Sequence, residues 1–290
     1  MNFEEHALAF PCADSWLYGI LTLPEQPIRR GVLIIVGGPQ YRAGSHRQFT
    51  LLARNLAAHG FAVMRFDFRG MGDSEGETRT FEAVEDDLRC AIDKFFLEAP
   101  LIDELVIWGL CDAASAAIFY AYQDRRVTGL VLLNPWVRTE EGSAKAYLRH
   151  YYASRLFERE FWTKIVQGKF QLAAAAQSFA KIITEACRAK RGNYASAGKE
   201  KRTSCEIAPL PDRMFQELNL FKGKVLLILS GNDLTAQEFS DLVKDSRKWE
   251  KLMAAPRVMC RDLPGANHTF SRREWRDQVM TWTKDWISSW

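Results

Sequence analysis

A cysteine stands at the centre of Gly109-Leu110-Cys111-Asp112-Ala113, between the apolar run LVIW and the small-residue stretch AASAAIFYA. A strand, one sharp turn and a helix form the setting of a nucleophile elbow, G-x-S-x-G, here with cysteine in the serine position and alanine at the last glycine. Small neighbours let strand and helix approach closely, so the nucleophile can take a strained backbone and project above the sheet. The amino end of the helix favours thiolate over thiol. Such a nucleophile needs a base and an orienting carboxylate, in the chain order nucleophile, acid, histidine. Asp233 follows KVLLILS in the loop GNDLT, and His268 follows RVMCRDL in the loop PGANHTFS. Among the five histidines, His6 lies in the leading segment, His46 near a helix start, His59 at a helix end and His150 in an insertion, which leaves His268 with the right address.

The groups that would hold an oxyanion are less regular. One donor is the N–H of the residue after the nucleophile, Asp112; the other comes from the loop after an early strand, which reads Gly37-Gly38-Pro39-Gln40. Proline has no N–H, so with Pro39 at the usual position the second donor shifts to Gly38 or Gln40. The Asp112 carboxylate opposes both a thiolate and an oxyanion unless it turns away or is paired, and Arg42 or Arg47 is the expected partner. Ser115, one turn along the helix, is directed against the sheet and is a poor rival nucleophile. Asp67, Arg69, Gly70 and Asp73, in FDFRGMGDSEG, read as a hydrogen-bonded structural turn in preference to a pocket wall.

These residues need a frame, and the chain supplies one. GVLIIV (31–36), FAVMRFDF (61–68), LVIWG, GLVLLN (129–134), KVLLILS (224–230) and RVMCRDL (257–263) are strand candidates, with the amphipathic HRQFTLLARNLAAHG and TFEAVEDDLRCAIDKFFLEA among the helical segments between them. Continuous apolar strands separated by helices imply a mostly parallel sheet covered on both faces. Loops at the carboxyl ends of such strands converge, which would bring Cys111, Asp233 and His268 together. ALAFPCADSWLYGILTLP reads as an antiparallel hairpin at the sheet edge.

Residues 1–137 and 223–290 read as the core, and 138–222 as a helical cap insertion without a clear strand. Tyr147, His150, Tyr151, Phe157, Phe161 and Trp162 fall there at mixed helical spacing. Tyr151, Phe161 and Trp162 are candidates for a substrate wall, set against the plainer reading that aromatics pack the insertion onto the core. The basic stretch at 188–204 is poor in large apolar residues and reads as a solvated, mobile segment. A net charge of +3 over 290 residues compels neither a nucleic-acid nor a membrane partner. The sequence shows no leader-like start and no run of about 18 apolar residues, which points to a cytoplasmic protein without stable membrane insertion. Six scattered cysteines form no ligand cluster, so neither metal nor organic cofactor is expected. Nothing in the sequence indicates an oligomeric state.

Gly109 to Ala113, Asp233 and His268 resemble the triad of the α/β-hydrolase superfamily, and the resemblance covers essentially the whole chain. GGPQYRAGSHRQF, RFDFRGMGDSEG, WGLCDAASAA and LVLLNPWVR resemble, more narrowly, the α/β hydrolases associated with the exosortase A system of exopolysaccharide-producing bacteria, in particular hydrolase 1. That resemblance implies an α/β-hydrolase fold with a helical cap and a cysteine nucleophile; a Cys-His-Asp triad also occurs in dienelactone hydrolases. It fixes no substrate. The expected activity is hydrolysis of a small-molecule acyl substrate, an ester or thioester, with acyl transfer to a sugar or other acceptor as a variant. A silent binding module is the non-enzymatic alternative, motivated by Cys111, Asp112 and Pro39 together. If the insertion selects the acyl portion, replacing Tyr151, Phe161 or Trp162 by alanine changes substrate preference while iodoacetamide still alkylates Cys111 at the wild-type rate; parallel losses would indicate misfolding.

Overall fold

A computed structural model describes residues 2–38, 40–137 and 208–290. The chain opens with an antiparallel hairpin, β1 (Phe3–Cys12) and β2 (Ser15–Pro24), and then alternates: β3 (Arg30–Ile35), α1 (Gln48–Ala57), β4 (Ala62–Phe66), α2 (Glu85–Glu98), β5 (Glu104–Leu110), α3 (Asp112–Ala121) and β6 (Val127–Leu133). The described chain resumes with α4 (Leu210–Leu220), β7 (Lys224–Ser230), α5 (Leu234–Asp245), α6 (Arg247–Met253), β8 (Val258–Leu263) and α7 (Arg273–Ile287). All eight strands join one sheet in the order β1-β2-β4-β3-β5-β6-β7-β8. β1–β2 and β2–β4 pair antiparallel, and every other pair is parallel. The expected edge hairpin and parallel core are both present.

Burial on both faces explains why the central strands read as unbroken apolar runs. Val32, Ile34 and Val36 share one cluster with Phe49 and Leu52 of α1 and Val279 and Trp286 of α7. Leu33 and Ile35, alternating with them and fully buried, serve the other face. Trp108 of β5 meets Phe49 edge-on at 5.6 Å, and its indole N–H donates to Thr283 Oγ1 at 3.4 Å. The strand order also locates the crevice. From β3 the chain moves outward to β4 and then crosses back to β5 on the opposite side, so the loops leaving β3 and β5 diverge. A ligand crevice opens at such a switch point. The loop after β3 carries Gly37 and Gly38; the turn after β5 carries Cys111.

The chain divides into two compact units, Met1–Val137 with Pro211–Trp290, and Arg138–Leu210. The core therefore resumes at Pro211, earlier than the position 223 read from sequence. α4 belongs with it because Met214 and Leu218 are buried and Phe215 packs edge-on to Trp249 at 5.6 Å. Tyr151, Phe161, Trp162 and the basic stretch at 188–204 lie outside the described residues.

Helix α3 lies hard against the end of β5. A Cβ on Gly109 would fall 2.7 Å from the Ala113 carbonyl carbon and 2.8 Å from the Ala114 nitrogen. Gly109→Ala must push strand and helix apart and is expected to cost about 1–3 kcal/mol. It should lower the urea midpoint at an unchanged m-value; a wild-type midpoint would show that the approach has slack.

Candidate active site

Cys111 has φ 64° and ψ −125°, a positive φ that only a few of the described non-glycine residues adopt. Its surroundings hold it there. The Cys111 N–H donates to the Leu133 carbonyl at 2.9 Å, while its own carbonyl accepts from the N–H groups of Trp136 at 3.2 Å and Ser115 at 3.3 Å. A strained residue persists when neighbours over-determine it, and strands β5 and β6 do so here. Ser115 is fully buried, and its hydroxyl donates to the Trp136 carbonyl at 2.7 Å. It faces the packing interior, as its place on the helix predicts.

Asp233 and His268 meet at the ends of β7 and β8. Asp233 Oδ2 lies 2.9 Å from His268 Nδ1. The same carboxylate caps α5, accepting from the N–H groups of Thr235 at 3.4 Å and Ala236 at 3.2 Å, so the helix start fixes the acid's direction. Hydrogen bonding to Asp233 first, and to Cys111 second, pushes the half-buried His268 imidazole up to about 10, against the opposing effect of burial. Sequence reasoning missed the residue that aligns these loops. Asn134, buried at the end of β6 with φ 44°, donates to Ser230 Oγ at 2.8 Å and to the His268 carbonyl at 3.2 Å, and accepts from the Ser230 N–H at 2.9 Å. Asparagine tolerates positive φ; in the strand run GLVLLN it is the one polar residue.

The glycine loop corrects the expected pairing of Asp112. Among the described residues its carboxylate takes no arginine: Oδ2 accepts from the Gly38 N–H at 2.9 Å and Oδ1 from the Ala113 N–H at 3.0 Å. Arg42 is committed elsewhere. Its guanidinium pairs with Asp67 and, at 2.5 Å, with Asp73, and its N–H donates to Asp67 at 2.6 Å. Arg47 sits at the turn into α1. Asp67 also accepts from the Asp73 N–H at 3.2 Å, and Ser74 Oγ donates to the Asp67 carbonyl at 2.7 Å. Arg69 is bound to Asp87. The stretch FDFRGMGDSEG is thus a structural turn, as read. Gln40 spends its side-chain carbonyl on the Ser45 N–H at 3.3 Å.

Cys111, Asp112, Gly38, Gln40 and His268 border a cavity of about 460 Å³, walled by the aromatics Phe81 and Trp136. Neither aromatic was flagged from sequence. Phe81 falls in TFEAVEDDLRCAIDKFFLEA, read as helical from its start, whereas α2 begins only at Glu85; Trp136 follows the strand run as one more apolar residue. No group of three or more His, Cys, Asp or Glu side chains able to hold a metal occurs among the described residues. None of their helices is long and apolar enough to cross a membrane.

Residues 28–238, most of the chain, match the family described as Serine aminopeptidase, S33. The chain belongs to this family. A curated relative, the polyketide transferase grgF of Penicillium sp, is 31% identical over 91 residues, 30% of this chain and 31% of that protein. The chain thus aligns with about a third of that relative's length. Among solved structures, the Pyrococcus furiosus esterase Pf2001 is similar at TM-score 0.65 and 16% identity, over 99% of this chain and 93% of that one. The dienelactone hydrolase of Anabaena variabilis gives 0.60 at 14% identity, over 100% and 99%. GrgF itself, from Penicillium sp. sh18, gives 0.60 at 17% identity, over 98% of each chain. By family and by fold, this S33-family member is an α/β hydrolase.

Two measurements probe the site. His268 should titrate near 10 by NMR, and its midpoint should fall in Asp233→Asn and in Cys111→Ala. Because the folded value lies above the ordinary 6.5, the stabilisation from the charged ring is whole below pH 6.5 and is lost as pH rises toward 10. The stability gap between wild type and Asp233→Asn therefore narrows between about pH 6 and about pH 10.5; a gap that widens would refute this assignment. Asn134→Ala strands the Ser230 N–H and forces alanine to positive φ, with an expected loss of about 2 kcal/mol. As a positioning residue it should also lower the His268 midpoint, a change that lost packing alone would not produce.

Proposed function

We propose that the protein hydrolyses an ester or thioester of a small-molecule acyl substrate, with Cys111 as nucleophile, His268 as acid and base, and Asp233 as the group that orients the ring. One observation carries the reading. A strained cysteine at a helix amino end and an imidazole whose proton affinity that cysteine raises border one cavity, and a carboxylate behind the imidazole lies 2.9 Å from its Nδ1.

The charge state sets the order of steps. A ring pushed up to about 10 carries the proton at neutral pH and can hand it to a leaving group. The Cys111 sulfur attacks the acyl carbon, a C–S bond forms and the carbonyl π electrons move to oxygen. Collapse of that oxyanion expels the alkoxide or thiolate leaving group, which takes the proton from His268. The now neutral ring removes a proton from water, the resulting hydroxide attacks the thioester, and the second collapse expels the Cys111 thiolate while His268 keeps the proton. Asp233 holds the tautomer throughout. In this reading the insertion supplies substrate contacts through Tyr151, Phe161 and Trp162, and no metal or organic cofactor takes part.

Acyl transfer is the second reading, favoured by the relative named as a polyketide transferase and by the aromatic walls Phe81 and Trp136, which limit water at the thioester. The motif resemblance to the exosortase A-associated hydrolases, and with it a cytoplasmic place beside exopolysaccharide synthesis, makes a sugar hydroxyl the acceptor of interest. Adding acceptor alcohols and measuring the partition of the acyl group separates transfer from hydrolysis.

The primary test uses p-nitrophenyl esters and acyl thioesters with mass spectrometry of Cys111. An acyl adduct is expected on the wild type, together with alkylation by iodoacetamide near neutral pH. Cys111→Ala should form no adduct and lose at least about a thousandfold in kcat with the fold intact. Cys111→Ser should also lose heavily, because serine depends wholly on a neutral His268 to remove its proton. Activity retained in Cys111→Ala would eliminate the cysteine as nucleophile.

A further inference from the structure

The Asp112 carboxylate is seated where main-chain N–H groups converge at the nucleophile. Gly38 donates to Oδ2 at 2.9 Å and Ala113 to Oδ1 at 3.0 Å. The seat is shaped for it: a Cβ at Gly37 would overlap Asp112 Oδ1 and crowd the Leu110 carbonyl at 2.7 Å, and Gly38 takes φ 56° to present its N–H. Burial pushes the Asp112 carboxyl above the ordinary carboxylate range, against the pull of the N–H groups of Gly38, Ala113 and Asp112 itself and of the His268 charge. Of the backbone donors an acyl-transfer oxyanion requires, the N–H of the residue after the nucleophile and one from the glycine loop, the Gly38 N–H is the loop candidate read from the sequence. A carboxylate already holds it.

We infer that Asp112 is an internal occupant of the oxyanion-binding position, a specificity-determining carboxylate that the oxyanion of a reacting substrate must displace from the Gly38 N–H. The inference rests on the hydrolytic reading of Cys111. Displacement has to be driven by binding energy from parts of the substrate remote from the carbonyl, so acyl groups that offer the cavity little surface are rejected at this step. Free carboxylic acids, the products of hydrolysis, meet like charge in the same place and leave readily.

The test uses alkyl trifluoromethyl ketones. The Cys111 sulfur adds to the ketone carbon, a C–S bond forms, the π electrons move to oxygen, and the tetrahedral adduct keeps its oxyanion because there is no leaving group. Iodoacetamide alkylation, which passes through no oxyanion, is the control. Relative to that control, Asp112→Ala should bind the ketone about tenfold more tightly than wild type, since part of a donor contribution of about 10²–10³ is freed. The gain should be larger for a methyl than for an octyl ketone. Asp112→Asn, nearly isosteric, should move in the same direction by less, and serves if the alanine variant is misfolded by circular dichroism. Unchanged or weaker ketone binding in both variants overturns the inference and makes Asp112 a brace for the glycine loop. If the variants form no adduct while Cys111 still alkylates, the inference fails and the nucleophile stands. A folded protein in which Cys111 neither alkylates nor forms an adduct overturns the hydrolytic reading and the inference with it.

Discussion

At Gly109 the backbone of β5 passes so close to the first turn of α3 that a methyl group would lie 2.7 Å from the Ala113 carbonyl carbon. That approach leaves a single residue, Leu110, to end the strand, and it forces Cys111 to turn the chain at φ 64°. Alanine at 113 belongs to the same constraint, since a larger side chain would separate helix from sheet. The elbow in turn is closed by its neighbour strand. The Trp136 N–H donates to the Cys111 carbonyl, and the Cys111 N–H donates to the Leu133 carbonyl at the end of β6, so the direction of the Cys111 side chain is set by packing between two parallel strands and one helix.

A second set of contacts anchors the glycine loop from the other side. Arg42 reaches from that loop to the buried Asp67 at the end of β4, and Arg65 of β4 pairs with Glu5 of β1 at 3.0 Å. Arg69 binds Asp87, which is fully buried at the start of α2. Removing one member of such a pair leaves an uncompensated buried charge, a loss of about 3–5 kcal/mol. These ion pairs tie the edge hairpin, the switch-point loop and α2 into one frame around the cavity.

How much of this was legible in the sequence depended on which physical signal carried it. Parallel strands buried on both faces announce themselves as unbroken apolar runs, and loops at their carboxyl ends inherit an address from the topology; Asp233 and His268 were legible for that reason. Asp112 was misassigned because sequence displays side chains, and an unpaired carboxylate invites a search for arginine. Its true partners are N–H groups of Gly38 and Ala113, which every residue but proline possesses. Asn134 and Trp136 gave no periodic signal, since each acts through its place at or just beyond a strand end, and Phe81, inside a segment read as helical, precedes the first turn of α2. α4 carries the same amphipathic spacing that a helix of an insertion would show, and its burial of Met214 and Leu218 is a tertiary fact.

Asp233 serves two masters with one carboxylate, the first turn of α5 and the His268 ring. Helix ends are the first parts of a helix to fray, and the lowest-energy openings of a folded protein are local ones of this kind. Each time the first turn of α5 unwinds, the acid loses the N–H groups of Thr235 and Ala236 that aim it and the imidazole loses its orienting partner. In the proposed reaction, the fraction of molecules competent to react is therefore capped by the opening equilibrium of a single helical turn, which native-state hydrogen exchange at those two amides reads directly. Through that turn, solvent conditions that loosen α5 reach the His268 ring without touching the cavity.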